Sequence, residues 1–155
     1  MSISKYVDFD LFLNRIKAHS AKQAFQQIAQ ESAALCGASA PDLLDLIQSR
    51  FDEGGAHGEK GVSVFDLKSV KIKSSLMFVA TFDQGLDLNA HDAQSVHAFV
   101  GVLSPFSSGA AHLQRLDCVS RLFRSNDLCA TLRETRNEDE MRVLFMPDQD
   151  WMIAA

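Results

Sequence analysis

The chain has 155 residues, of which 46% are hydrophobic and 23% charged, with 8 Gly and 3 Pro. This length favours one compact domain over 1–155, and the composition excludes a disordered, collagenous or low-complexity chain. A net charge of −5 creates no overall basic field, so nucleic acid is not an expected partner. No apolar run approaches the roughly 18 residues of a membrane span and no secretory signal is visible, which predicts a soluble, cytoplasmic protein.

The first third of the chain predicts a short strand and two helices. Apolar residues at 11–13 and 16 give a weak strand signal. Ser20 opens a helix with a capping-box pattern, and Gly37 ends that helix. A second helix begins after Ser39 and is expected to end near Gly54.

The hydrophobic period then changes to that of strands. We predict strands at Val62–Phe65, Leu76–Phe82 and Val96–Leu103, separated by polar loops. The stretch 54–61, with four glycines in eight residues, is predicted to be a surface loop. It matches neither the dinucleotide-binding fingerprint nor the Walker spacing, so it is a poor phosphate cradle.

Helical periodicity returns after Gly109. A long amphipathic helix is predicted there, with one buried face made of Leu113, Leu116, Val119, Leu122 and Phe123. Shorter helices are predicted at 127–134 and 138–145. Helices before and after the strands favour a layered α/β or α+β domain.

The sequence contains no motif typical of a metal site or of a serine hydrolase. The five histidines include no pair at helical metal-binding spacing, and no CxxC pair exists among Cys36, Cys118 and Cys129. No G-x-S-x-G nucleophile elbow is present. We therefore predict no metal site and no cofactor.

Several motifs occur in an order typical of one family. Ile16-Lys-Ala-His-Ser-Ala-Lys22 precedes the first helix, and Arg50, in the second, stands sixteen residues before Asp66. Leu103-Ser-Pro105 ends a buried strand, and His112-Leu113 opens the long helix. In these features the chain resembles the type 2 enzyme IIA domains of the bacterial phosphoenolpyruvate-dependent sugar phosphotransferase system. Its length is similar to that of the free-standing, nitrogen-regulatory branch.

The chain departs from the family at the phosphoacceptor. Where the family has A-I-P-H, this chain has Ser63-Val-Phe-Asp66, so a carboxylate replaces the acceptor histidine. The family's S-T-G-I-G-x-G stretch has become Gly55-Ala-His-Gly-Glu-Lys-Gly61, which loses the hydroxyl pair. Arg50 and His112, which flank the phosphohistidine in the family, are retained. The resemblance therefore implies a site of Asp66, His112 and Arg50 without the usual acceptor.

The favoured role for this site is a fixed negative charge. One carboxylate supplies about −1, against roughly −1.5 to −2 for a phosphoryl group. Arg50 would pair with Asp66, and His112 could donate a hydrogen bond to the same carboxylate. Exposed Phe65 and Phe106 beside the site would favour such a regulator, because a partner protein needs an apolar rim.

Two other roles stay open at the level of sequence. A true phosphocarrier would accept the phosphoryl group on His112, His57 or Asp66. An aspartyl phosphate commonly recruits a divalent cation held by further carboxylates, and no acidic cluster stands beside Asp66 in the sequence. The other role is a ligand-binding or structural domain that keeps only the scaffold.

The resemblance also implies a fold and a set of partners. The fold would be a three-layer sandwich, a mixed and roughly five-stranded sheet with helices on both faces. The function would be that of an enzyme IIA-like nitrogen-regulatory protein that lacks the acceptor histidine, is not phosphorylated and acts through protein contacts. Family partners are a histidine phosphocarrier protein, sensor kinases and potassium transporters, and the oligomeric state is not predicted.

Overall fold

The structure is a computed structural model that describes residues 8–54, 56–88 and 95–146, without the side chains of 56–59. The strands are β1 (Leu11–Ile16), β2 (Ala56–Glu59), β3 (Val62–Ser69), β4 (Leu76–Leu86) and β5 (Val96–Pro105). The helices are α1 (Ala21–Cys36), α2 (Ala40–Asp52), α3 (Ala110–Leu122), α4 (Asn126–Glu134) and α5 (Glu138–Leu144). A 3₁₀ turn, Phe106–Ser108, joins β5 to α3.

The sheet mixes parallel and antiparallel pairs. Its order is β1-β4-β5-β3-β2, in which four strands of six to eleven residues are extended at one edge by the four-residue β2. β1 runs parallel to β4 and β3 parallel to β5, whereas the β4–β5 and β2–β3 pairs are antiparallel. The predicted α/β class with a mixed sheet is confirmed.

Each face of the sheet has its own hydrophobic core. On the side of α1 and α2, an aromatic cluster surrounds Phe65, whose ring lies 5.4 Å from that of Phe25 and 5.1 Å from that of Phe99. On the side of α3, α4 and α5, the core combines aliphatic residues such as Val100 and Leu132 with several phenylalanine rings. Successive residues of β3 and β5 therefore serve opposite cores, as strand alternation requires.

Serine caps begin the helices where the sequence predicts them. The Ser20 side chain accepts a hydrogen bond from the backbone N–H of Gln23, and Ser39 does the same for Asp42. Gly37, with φ of 70°, ends α1 in the left-handed conformation that glycine adopts without strain. These caps set the entry and exit of the two helices that cover the first face.

The prediction of a plain loop over 54–61 is wrong. Residues 56–59 form β2, which pairs with β3 through the Glu59–Val62 and Ala56–Phe65 positions. Lys60 and Gly61, with φ of 56° and 80°, make the two-residue turn, since the favoured hairpin turn needs positive φ at both positions. Frequent glycine indicated a turn but hid the strand that precedes it.

The predicted buried face of the long helix also needs one correction. Leu113 is 62% exposed, whereas His112 is 1% exposed and faces the sheet together with Val119 and Leu122. Neighbouring helical residues differ by about 100° in direction, so turning His112 inward turns Leu113 outward. A polar residue thus begins the face that the apolar pattern assigned to leucine.

Within residues 8–54, 56–88 and 95–146, we find no helix that is both long enough and apolar enough to span a bilayer.

Candidate functional site

Asp66 lies on β3, directly after the described pairs between β2 and β3. These pairs run from Glu59–Val62 to Ala56–Phe65. Arg50, in the last turn of α2, donates a hydrogen bond from Nε to the Asp66 carbonyl at 2.7 Å. A guanidinium carried by a helix therefore fixes the backbone of Asp66.

The Asp66 carboxylate is held from two sides. Its Oδ1 receives a short hydrogen bond from Nε2 of His112, and its Oδ2 lies 3.7 Å from Nη2 of Arg50. Side-chain exposure is 31% for Asp66 and 36% for Arg50 but only 1% for His112. The structure thus brings together all three predicted site residues, from α2, β3 and α3.

A hydrogen-bonded chain continues behind His112. Its Nδ1 lies 2.8 Å from Oγ of Ser104, and Nη2 of Arg115 donates to the same hydroxyl oxygen at 2.8 Å. Because a guanidinium can only donate, the Ser104 oxygen accepts from Arg115 and its hydrogen is available to Nδ1. Because the Asp66 carboxylate can only accept, the hydrogen bond between it and His112 requires the imidazole proton on Nε2, and Nδ1 can then accept from Ser104.

Ser104 and Arg115 were not predicted as site residues. Ser104 is fully buried in β5, and Arg115 stands three residues after His112 on α3. The i,i+3 spacing puts His112 and Arg115 on one helix face, which is a signal that the sequence does contain. Ser104 also lies inside the Leu103-Ser-Pro105 motif, but its role depends on strand pairing that spacing does not reveal.

Ser104 is not a nucleophile despite the order of groups. Asp66, His112 and Ser104 form a carboxylate–imidazole–hydroxyl chain of the kind that activates serine in hydrolases. However, Ser104 is 0% exposed, and its oxygen already receives the Arg115 hydrogen bond. A substrate carbonyl cannot approach this hydroxyl, so the chain serves to orient His112.

Two clefts open on either side of Asp66. The α2 cleft, about 380 Å³, lies between α2 and β3 and includes Arg50, Lys68 and Phe106. The α3 cleft, about 340 Å³, lies between α3 and β3, and its lining is Lys60, Val62, Val64, Leu116, Ser120, Phe123 and Arg124, besides Asp66. Asp66 lines both clefts.

One exposed apolar residue lines the site, and another follows His112 in the sequence. Phe106 is 61% exposed in the 3₁₀ turn, where the Lys68 ammonium lies 5.8 Å from its ring centre. Leu113, next to His112, is 62% exposed. Phe65 is only 2% exposed, because strand alternation turns it into the aromatic core while Asp66 points the other way. Phe106 is therefore the exposed apolar residue that shares a cleft with Asp66.

Metal-binding clusters are absent from the part of the chain that the structure describes: no three His, Cys, Asp or Glu side chains converge there. The side chain of His57, the other proposed acceptor, lies outside the described part. Asp66 and His112 are thus a pair without a third ligand among the described residues.

Comparison with known proteins identifies the family. The model for "Phosphoenolpyruvate-dependent sugar phosphotransferase system, EIIA 2" matches residues 6–146. A nitrogen regulatory protein of Bradyrhizobium diazoefficiens is 29% identical over 148 residues, covering 95% of this chain and 97% of that protein. Both the match length and this relative agree with the resemblance drawn from the motifs.

Solved structures share the fold. The nitrogen regulatory protein IIA-Ntr of Neisseria meningitidis superposes with a TM-score of 0.77 at 17% identity, covering 88% of this chain and 92% of that chain. IIA mannitol of Escherichia coli superposes with a TM-score of 0.70 at 14% identity, covering 88% of this chain and 96% of that chain. With the family model matching nearly its whole length, the chain belongs to the EIIA type 2 family of the phosphoenolpyruvate-dependent sugar phosphotransferase system, and it resembles the nitrogen regulatory branch.

Proposed function

We propose that this chain is a nitrogen-regulatory protein of the EIIA type that does not carry a phosphoryl group and acts through protein contacts. In this proposal residues 1–155 form one EIIA-like domain. Asp66 supplies a permanent negative charge at the position where the family carries its phosphohistidine. The observation that carries the proposal is the engagement of both Asp66 carboxylate oxygens, one by His112 and one by Arg50.

The same contacts argue against phosphoryl transfer to the two candidate acceptors. Transfer to His112 needs a lone pair on an accessible ring nitrogen, but its Nε2 faces Asp66 and the side chain is 1% exposed. Transfer to Asp66 would bring a dianionic phosphoryl donor against an anionic carboxylate. Among the described residues, Arg50 is the one Lys or Arg in ion-pair range, with Nη2 3.7 Å from Oδ2 of Asp66. A carboxylate that is already engaged by its neighbours is better suited to binding a partner protein than to accepting and passing on a phosphoryl group.

The partner surface in this proposal is centred on Asp66. Phe106 supplies exposed apolar area in the same cleft as a half-buried charge, which is the composition of a transient interface. One structural neighbour was solved as a complex of enzyme IIAMTL with phosphorylated enzyme IIBMTL of Escherichia coli, at 14% identity and a TM-score of 0.69 over 88% of this chain and 93% of that chain. By analogy, the partners proposed here are a histidine phosphocarrier protein, a sensor kinase or a potassium transporter.

Intact-mass measurement tests the proposal. The chain is incubated with phosphoenolpyruvate, the general phosphotransferase enzyme and its histidine phosphocarrier, beside an EIIA domain that has the A-I-P-H motif as positive control. The expected result is a gain of one phosphoryl group by the control and none by this chain.

The rival function, a true phosphocarrier, is decided by the same experiment. A gain of one phosphoryl group by this chain would overturn the proposal. Loss of that gain in Asp66→Asn or in His112→Ala would then name the acceptor, and its persistence in both would direct attention to His57.

A further inference from the structure

The turn between β3 and β4 forms a surface with the start of α2 that the candidate site does not explain. The backbone N–H groups of Lys73 and Ser74 donate hydrogen bonds to the Cys36 carbonyl at 2.8 and 3.1 Å, which fixes the turn against the end of α1. Nζ of Lys71 lies 3.5 Å from Oδ1 of Asp42, which ties the turn to the first turn of α2. We call this the α2–turn surface, and its residues are Leu35, Asp42, Asp45, Val70, Lys71 and Lys73.

The charges of this surface follow one line along α2. Lys73 lies at the N-terminal end, because its Cβ comes within 2.9 Å of the position that a Cβ on Gly37, three residues before α2, would occupy. The pair of Lys71 and Asp42 comes next. Asp45 is exposed and follows three residues later, which is about 4.5 Å further along the same side of the helix. The order along the line is therefore a cation, an ion pair and an anion.

This order is self-complementary. A two-fold axis through the central ion pair exchanges the two ends of the line, so Lys73 of one copy meets Asp45 of a second copy, and the contact occurs twice. In the part of the chain that the structure describes, neither of these two residues has an ion-pair partner. The Lys73 ammonium instead donates a long hydrogen bond of 3.4 Å to the Val70 carbonyl. Both charges are thus placed to pair with a second copy.

The same surface also exposes two large apolar side chains. Val70 is 69% exposed, more than any other large hydrophobic residue of the described part, and it directly precedes Lys71, near the position of the axis. Leu35 is 48% exposed and directly precedes Cys36, whose carbonyl holds the turn. An apolar centre flanked by complementary charges is typical of an interface between identical subunits.

We infer that the α2–turn surface joins two copies of this chain into a two-fold dimer. The two α2 helices run antiparallel, Lys73 of each copy pairs with Asp45 of the other, and Val70 meets its equivalent near the axis. About six residues per copy take part, against roughly 20–30 in an interface of standard size, so we expect a dissociation constant on the order of 10–100 µM. The inference goes beyond the proposed function and does not depend on it, because Asp66 lies at the other end of α2, beside Arg50.

Sedimentation equilibrium of the full chain, at concentrations that bracket this constant, measures the association. Lys73→Glu and Asp45→Lys should each weaken it at least tenfold, because each change sets two pairs of like charges against each other. The first variant makes the net charge more negative and the second makes it less negative. A change in overall repulsion therefore cannot explain a loss of association in both.

Mixing the two variants is the sharpest form of this test. When Lys73→Glu meets Asp45→Lys, both contacts of the two-fold pair again join opposite charges. The equimolar mixture should therefore associate within about threefold of the wild-type constant, although each variant alone does not. The double variant, which carries both changes in one chain and has the wild-type net charge, should also associate.

Two matched controls separate this surface from the rest of the molecule. Lys22→Glu, at an exposed position near the start of α1, changes the net charge as Lys73→Glu does and should leave association unchanged. Val70→Asp places two like charges near the axis and should abolish association. Val143→Asp makes the same change at a valine that is 54% exposed on α5, on the other face of the sheet, and should have no effect.

Three outcomes would overturn the inference. The first is a wild-type chain that stays monomeric at all concentrations, a result that needs no variant. The second is equal weakening by Lys22→Glu and Lys73→Glu, which would indicate a general effect of charge. The third is a mixture of Lys73→Glu and Asp45→Lys that does not associate. None of these outcomes bears on phosphorylation, which the intact-mass experiment decides separately.

Discussion

Two histidines lie buried on the same side of the sheet, but they differ in the hydrogen bonds that their surroundings offer. His112 is 1% exposed and hydrogen-bonds through both ring nitrogens, to Asp66 and to Ser104. His97, on β5, is 6% exposed, and neither of its ring nitrogens has a hydrogen-bond partner among the residues that the structure describes. Burial alone therefore does not make a histidine part of a site; a carboxylate on one side and an ordered hydroxyl on the other do.

The environment of His97 favours the neutral ring. Burial, and then the nearby Arg133 cation, lower the pKa of His97 from 6.5 to about 4. The backbone of Cys129 offsets part of this shift without forming a hydrogen bond of good geometry with the ring. His97 thus behaves as a packing residue, whereas His112 belongs to a charged network.

Removal of the His112 ring should have the largest effect on stability. His112→Ala leaves a cavity and deprives Asp66 and Ser104 of their partner, so the free energy of unfolding should fall by about 3 to 4 kcal/mol. Urea denaturation at pH 7 measures this. Leu113→Ala, the exposed neighbour, is the matched control and should change stability by less than about 0.5 kcal/mol. Equal losses in the two variants would mean that the hydrogen-bonded chain adds nothing.

Acidification should destabilise the protein through His97. Its pKa is lower in the folded than in the unfolded state, so the unfolded state binds more protons between pH 6.5 and 4. This contribution is complete above pH 6.5 and is lost as the pH falls, amounting to about 3 kcal/mol near pH 4. The test is the difference in unfolding free energy between wild type and His97→Leu across this range. A constant difference from pH 7 to pH 4 would refute the assignment.

Substitution of Gly61 tests the close contact between the hairpin turn and the His97 ring. A Cβ at Gly61 would lie 2.3 Å from Nδ1 of His97, and its φ is +80°. Gly61→Ala should therefore cost about 2 to 3 kcal/mol, from backbone strain and from the clash. Gly54→Ala is the matched control, because φ is +77° there and nothing lies within 4 Å of a Cβ. The control should cost about 1 kcal/mol, and thermal unfolding would show whether the two differ.

Neutralising Asp66 should have the smallest effect on stability. Asp66→Asn keeps the shape of the side chain but removes the charge that Arg50 and His112 share, so we expect a loss of about 1 kcal/mol. Asp117→Asn removes one partner of the exposed pair with Arg121 and should cost less than about 0.5 kcal/mol. Urea denaturation at low and high salt compares them. A larger loss in Asp117→Asn would contradict the half-buried network.

The sequence predicted the elements that carry strong local signals. Ser20 and Ser39 cap their helices as expected, and the Arg50 and Asp66 spacing anticipated two residues that the fold brings together. The sequence did not predict β2 because this strand is only four residues long and pairs with β3 in a hairpin. Its glycines also interrupt the alternation of polar and apolar residues that marks a strand. The prediction placed Leu113 in the core because a helical pattern is read by assigning apolar residues to the buried face. In the structure the polar His112 occupies that buried position instead.

The rest of the site depends on contacts that are remote in sequence. Ser104 meets His112 because β5 lies beside β3, with Asp66 opposite Val102 in the register. Arg115 completes the chain only once α3 lies across that pair of strands. Sheet order is decided by packing of the whole domain, which is why local patterns named the charged residues but not the groups that orient them.

¹⁵N NMR of the histidine side chains, before and after incubation with phosphoenolpyruvate, the general enzyme and its phosphocarrier, shows both the tautomer of His112 and any phosphorylation of a ring. We expect a proton on Nε2 of His112, held by Asp66, and an unchanged spectrum after incubation. A proton on Nδ1 alone, or a phosphorylated ring nitrogen at His112 after incubation, would contradict this expectation.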